Sequence, residues 1–220
     1  MFKASIIPVL VFAASHTEFQ TKLDLFKGDL PAGSGTYTEK FDRSGHKTST
    51  FLLKGREVGG VDRTVHQIKV IDGNAFPISE EETIIEKGPK GRYELILKVR
   101  YDSTGAAILD TTEDKYKTTT RSYVPLAGYS LADESDLWFS KTHPKAGTTV
   151  RSTVFDIENS GWQRIETTYI GKKWITVDGH RLNVHEVRDV RDGVMREVYL
   201  DDKGQPVLMK SGQFRTEKRF

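Results

Sequence analysis

No cysteine occurs anywhere in this chain. Disulfides, thiolate nucleophiles, iron–sulfur clusters and a lipidated N-terminal cysteine are therefore excluded. The compartment is left open, because exported bacterial proteins also do without cysteine. An excess of one charge is lacking too. Thirty-three Lys and Arg stand against 31 Asp and Glu, a net charge of +2. The two signs are interleaved, as in Glu39-Lys40 and Arg188-Asp189. No basic stripe that could track phosphates results, so a nucleic-acid partner is not expected. No apolar run reaches the roughly 20 residues that a membrane helix needs.

The motifs of common chemistries are also missing. There is no Gly-x-Ser-x-Gly elbow, Walker loop, dinucleotide fingerprint or EF-hand loop. His180 and His185 are an odd number of residues apart, which on one strand puts their rings on opposite faces, so no shared metal is expected. His66 reads as half-buried and His143, before Pro144, as a turn residue. Glu80-Glu81-Glu82 admits a paired-carboxylate reading. Beside Ile84 and Ile85 it reads better as a charged strand start that protects a sheet edge. No catalytic residue, metal or cofactor is expected.

What is present is alternation. Tyr93, Leu95, Leu97, Val99 and Tyr101 are apolar, with Arg92, Glu94, Lys98 and Arg100 between them. A period of two marks strands of an antiparallel sheet with one wet face. Turn signals punctuate the runs at Ser44-Gly45, Asp72-Gly73, Gly88-Pro89-Lys90-Gly91, Ser103-Thr104-Gly105, Ser160-Gly161, Asp178-Gly179, Asp192-Gly193 and Asp202-Lys203-Gly204. Asp-Gly between alternating runs is a hairpin cue, since glycine accepts the positive φ of the tight turn. Helix signals are few: Thr17 to Lys27 fits a helix or a strand, and Ser130 to Leu137 fits one capped turn. The expected fold is all-β, a large curved or two-layered antiparallel sheet, half-barrel or sandwich-like, of about a dozen strands with at most one or two short helices.

Lys3, the apolar run Ala4 to Ala14 and the small residues Ala13 and Ser15 have the layout of a short secretory signal. The competing reading is a buried first strand through Ile6, Ile7, Val9 and Val11. The first reading gives a signal over residues 1–15 and a single β domain over 16–220, with export to the periplasm. An irregular crossing near 123–147 separates a first β layer, about 33–122, from a second, about 135–220.

The stretch from Ser135 to Val187 has a Trp-Phe pair, a Pro-Lys-Ala-Gly-Thr bend, a Phe-Asp-Ile strand end, a Tyr-Ile-Gly-Lys-Lys hairpin and an Asp-Gly-His strand pair. "YLDDKGQPVLMKSG" follows from Tyr199. This succession resembles uncharacterised exported bacterial proteins of the domain-of-unknown-function type, with a sheet similar to that of the periplasmic lipoprotein-carrier superfamily. The resemblance weakens before Ser122. It implies a concave sheet that holds an acyl chain or another apolar ligand, and it brings no catalytic motif. The candidate ligand-binding residues are the aromatic side chains Trp138, Phe139, Trp162, Tyr169, Trp174 and Tyr199, read either as a core or as a cleft floor. Trp162 and Trp174 alternate with apolar neighbours, so at least one should lie on the sheet's second face. The leading function is an exported, non-enzymatic envelope protein that binds an apolar small molecule or lipid. A structural domain that pairs with an envelope protein through its edge strands is the alternative. A hydrolase of envelope polymers is a third reading.

Overall fold

The computed structural model describes residues 18–56, 61–74, 76–89, 91–102, 104–105, 107–113, 118–126, 138–191 and 193–220. The signal-like segment before Glu18 and the Ser130–Leu137 turn lie outside them. Among the described residues, fourteen antiparallel strands form one sheet in the order β8-β7-β6-β5-β4-β3-β2-β1-β14-β13-β12-β11-β10-β9. The first run is β1 (Glu18–Lys27), β2 (Leu30–Phe41), β3 (Lys47–Arg56), β4 (Asp62–Ile71), β5 (Pro77–Gly88), β6 (Gly91–Tyr101), β7 (Ala107–Glu113) and β8 (Thr118–Val124). A helical turn, α1 (Trp138–Thr142), precedes β9 (Thr149–Asp156), β10 (Gly161–Val177), β11 (His180–Arg191), β12 (Val194–Leu200), β13 (Pro206–Ser211) and β14 (Phe214–Lys218). Residues 18–27 are thus strand and not helix. Leu23 and Leu25 are buried at period two, and the pairing partners β2 and β14 override the helical spacing of Phe19, Leu23 and Phe26. The two halves expected as layers are two meanders joined edge to edge through β1 and β14.

Four turns at one end of the sheet are built alike. Each opens on an aspartate whose carboxylate collects backbone N–H groups ahead of it. Asp42 accepts from Ser44 at 2.8 Å and His46 at 2.9 Å. Asp72 accepts from Asn74 at 2.7 Å and Phe76 at 2.9 Å. Asp102 accepts from Thr104 at 2.8 Å, and Asp201 from Lys203 and Gln205 at 2.9 Å. A short side chain that satisfies otherwise orphaned donors fixes these reversals.

The register shows how the sheet closes. Followed from strand to strand, one face carries Tyr169, Val187, Val198, Met209, Thr216, Leu25, Gly33, Gly55, Arg63, Glu86 and Tyr93 in succession. Leu97, Val99, Ala107 and Leu109 share it. These four side chains pack against Phe155 and Ile157, with Trp162 alongside. Phe155 and Trp162 are cross-strand partners on the opposite face. One end of the sheet therefore covers the other end from outside. The sheet is a scroll, with the β9–β10 hairpin tucked beneath β6–β7 and the shared face concave. The overlap is closed by side chains, and Trp162 Nε1 there donates to the Val124 carbonyl oxygen at 3.3 Å. No β8–β9 ladder occurs among the described residues.

Tight curvature at β2–β3 depends on glycine. Gly33 stands across from Gly55 on the concave side. A Cβ on Gly33 would lie only 2.0 Å from the Lys54 carbonyl oxygen. Only a residue without a side chain lets the two backbones approach this closely.

Candidate functional site on the concave face

The concave face is filled unevenly. Over β10–β12 it is sealed by α1, where Trp138 and Phe139 pack on Val187, Leu200, Tyr169 and Val198. Over β6–β7 it is sealed by the β9–β10 hairpin. Near β1 and β2 the β12–β13 turn fills it. Gln205 there donates to Glu39 at 3.0 Å, and its amide oxygen accepts from Thr21 at 3.2 Å. Glu39 also accepts from Tyr37 at 2.6 Å and Lys47 at 2.9 Å, so its buried charge has a full shell of donors.

Between these fillings lies a wall on β2–β4. Tyr37, Phe51, Leu53 and Val65 are neighbours on the concave side, and all are half-buried. No residue of β3 is fully buried, and Ile71 is the one buried residue of β4. Gln67, Ser49 and Lys69 border the wall on the same face. The arrangement offers an apolar surface with a polar margin. That composition suits a ligand with an apolar body and a polar end.

The six aromatic residues singled out from the sequence separate into four places. Trp138, Phe139 and Tyr169 are together. The rings of Phe139 and Tyr169 stack at 4.5 Å, and Tyr169 bonds His185 Nδ1 at 3.1 Å. His185 Nε2 contacts Asp202 at 3.0 Å. The Asp202 carboxyl is held below its ordinary range by the Lys172 ammonium first and by His185 second. Trp162 sits in the overlap, 5.2 Å from the Phe155 ring and 6.0 Å from the Tyr101 ring. Tyr199 is buried on the convex face with Val177, Val184 and Leu208. Burial, and after it the bond to Glu197, raises its phenol above the ordinary range. Trp174 is 60% exposed, with the Arg181 guanidinium 5.0 Å from its ring. Trp174 and Tyr169 share the concave side although their numbers differ in parity. The bulge between Tyr169 and Gly171 shifts the alternation by one residue.

The reading of Glu80-Glu81-Glu82 as an edge guard is corrected. β5 lies inside the sheet between β4 and β6, and both Glu80 and Glu82 are buried on the concave side. Gln67 donates to Glu80 at 2.7 Å and to Glu82 at 3.3 Å, and Lys69 pairs with Glu80 at 3.4 Å. His180 and His185 are placed apart, as their odd spacing required. His180 stacks on Phe220 at 4.4 Å. Sequence reasoning missed the β2–β4 wall because its four members come from three strands with little charge alternation. The glycines at 33, 35 and 55 were the available signal of tight curvature there.

No family model and no curated protein matches the sequence. Among solved structures, the chain is similar to a β-barrel-like protein of a domain of unknown function, DUF1849, from Brucella abortus. The identity is 12%, the TM-score is 0.59, and the match covers 92% of this chain and 94% of that one. At this identity the likeness shows the fold. The scrolled all-β sheet thus belongs with an uncharacterised bacterial β-sheet architecture, as the hairpin rhythm of the sequence suggested.

Proposed function

We propose that this is an exported, non-enzymatic envelope protein that holds an apolar, lipid-like ligand on the concave face of its scroll. One observation carries the reading. Where α1 and the β9–β10 hairpin do not cover the concave face, the β2–β4 wall sets Tyr37, Phe51, Leu53 and Val65 side by side and leaves them half-covered. Leaving such side chains partly exposed forgoes about 25 cal/mol for each Å² of apolar surface, which a bound acyl chain would recover. The signal-like N-terminus supports export. The experiment is native mass spectrometry of protein purified from the periplasm of a bacterial host without detergent. A co-purified lipid mass, lost on Val65→Glu, is expected. Bare protein that also fails to bind added phospholipid overturns the ligand reading. N-terminal sequencing of the same sample checks export: a retained Met1 in cytoplasmic protein would overturn it.

A second reading rests on β8. With β9 tucked inside the roll, Thr118–Val124 is the outer edge of the sheet, and Tyr123 on it is 60% exposed. Such an edge accepts a strand from a protein partner. A Ser122→Pro substitution, which removes a ladder donor, would abolish partner capture and leave lipid binding unchanged.

A further inference from the structure

The β10–β11 hairpin runs on past its neighbour. β12 pairs with β11 as far as Leu200 opposite His185, whereas β10 and β11 stay paired to Val177 and His180. Residues 173–184 are therefore a two-stranded arm, with Asp178 and Gly179 at positive φ in the tight turn at its tip. The arm has two unlike faces. One carries Ile175, Val177, Leu182 and Val184, which pack with Tyr199, Val207 and Leu208. The other continues Lys172 and His185 with Trp174 and Thr176 on β10 and Arg181 and Asn183 on β11. There Trp174 is 60% exposed, and Thr176, Arg181 and Asn183 are exposed around it. The tip is tied down at the chain's end. His180 stacks on Phe220 at 4.4 Å, and Asp178 accepts from the Phe220 backbone N–H at 3.4 Å.

We propose that this outer face of the arm binds an oligosaccharide that bears carboxylates, with Trp174 as the platform for one sugar ring and Arg181 as the partner of its charge. The platform is prepared in advance. Arg181, diagonal to Trp174 across the strand pair, sets its guanidinium 5.0 Å from the ring centre and steadies the indole by a cation–π contact. Arg181 pairs with no carboxylate among the described residues, so its forked N–H donors are left for a ligand. Asn183 is the direct cross-strand partner of Trp174. Its amide presents donors and an acceptor together, which suits a hydroxyl that is itself donor and acceptor. Thr176, two residues along the strand, adds a hydroxyl on the same side. An indole face is negative at its centre, and the C–H hydrogens on the face of a pyranose ring are slightly positive, so the two stack. The hydroxyls of the stacked ring then point sideways, to where Asn183 and Thr176 stand.

The composition of the face separates this ligand from a membrane. A surface that enters a bilayer gathers several apolar side chains. Here the neighbours of Trp174 on the face are Lys172, Thr176, Arg181 and Asn183, and the other apolar residues of the arm lie on the packed side. Asp202, at the base of the arm, is held by Lys172 at 2.7 Å and His185 at 3.0 Å, which leaves Arg181 as the cation the face offers. The site belongs to the arm and not to the β2–β4 wall, so the proposal does not rest on the lipid-binding reading.

The test is isothermal titration calorimetry of the full chain with oligogalacturonate, a hyaluronan tetrasaccharide and the neutral chitotetraose, alongside vesicles of phosphatidylglycerol. At least one carboxylated probe should bind, more tightly than chitotetraose, and should reduce acrylamide quenching of the tryptophan fluorescence. Trp174→Ala should abolish that binding. Arg181→Gln should weaken it about tenfold, the size of loss expected when a charge-assisted hydrogen bond is removed. Both side chains are exposed, so the two variants should keep the circular dichroism and urea midpoint of the parent. Failure of both carboxylated probes to bind overturns the proposal. So does a Trp174→Ala or Arg181→Gln protein that binds as the parent does. Binding to the vesicles through Trp174, with none to the oligosaccharides, also overturns it and assigns the face to a membrane surface.

Discussion

The two meanders of this protein use the same strand geometry in opposite ways. In β1–β8 every fully buried side chain of the strands points to the concave side: Leu23, Leu25, Glu39, Ile71, Glu80, Glu82, Ile84, Leu97, Val99, Ala107 and Leu109 among them. In β9–β14 buried side chains lie on both sides. Val187 and Leu200 lie under α1 on one, and Val184, Tyr199 and Leu208 lie with the end of the β10–β11 hairpin on the other. The N-terminal meander is an outer wrap one layer thick, and the C-terminal meander is the packed spindle around which it turns. Stability is expected to reside in the spindle, and adaptability in the wrap.

Matched truncations test that division most severely. Leu200→Ala in the spindle should cost about 3–5 kcal/mol in urea unfolding, because packing on both faces prevents collapse of the cavity. Leu53→Ala in the half-covered wall should cost under about 2 kcal/mol. Equal losses at the two sites would erase the distinction.

The wrap has one rigid point. Gly33→Ala should cost about 1–3 kcal/mol despite adding a single methyl group, because the new Cβ meets the backbone of Lys54 and not a movable side chain. Gly28→Ala is the contrast: nothing stands near its Cβ, and the strain comes from a positive φ of 60° alone. A Gly33→Ala protein as stable as the parent would remove glycine from the explanation of the curvature.

Much of this division was legible in the sequence, and the reasons are specific. Alternation in Tyr93–Tyr101 gives β6 and its concave face directly, because a strand covered on one side has a period of two. The aspartate turns are legible at Asp72 and Asp202-Lys203-Gly204, where glycine and aspartate cluster. What was not legible is anything that depends on the roll. Trp162 and Trp174 look equivalent as alternating aromatics. The overlap half-buries one beside Phe155 and against Tyr101, and the other, beyond the bulge at Tyr169/Gly171, is 60% exposed. Glu80 and Glu82 look like a solvated edge because nothing local announces Gln67 and Lys69 beside them, or the turn with Glu158 that arrives from far along the chain. Contacts across the whole roll leave no local signature.

The pH dependence of stability sharpens the comparison further. The carboxyl of Glu82, raised to about 8 by burial in the wrap, contributes stability fully below the ordinary glutamate range and loses it as pH rises through about 8. The urea midpoint of the parent should fall over that interval, and that of Glu82→Gln should stay level. Asp202, at the margin of the spindle, shows the reverse sign. Its carboxyl is lowered by Lys172 and His185, so its stabilisation is present above the ordinary aspartate range and fades only in acid. Smaller still is the effect at the outer edge. Arg121→Ala removes an exposed pair with Asp110 that water and salt screen, and the urea midpoint should stay within error of the parent's.

Acrylamide quenching separates the tryptophans without altering stability. With the other two replaced by phenylalanine, Trp174 should be freely quenched, Trp162 partly shielded and Trp138 the most protected. Equal quenching of Trp138 and Trp174 would contradict the seating of α1.

The claim that a packed spindle carries a thin wrap is tested most directly by native-state hydrogen exchange resolved along the chain. The slowest amides should belong to β10–β12, where buried side chains lie on both faces of the sheet, and β5–β7 should follow. β3, β4 and β8 should exchange fastest among the strands, by local opening well below the global unfolding free energy. Protection in β3 and β4 equal to that in β11 and β12 would contradict the account.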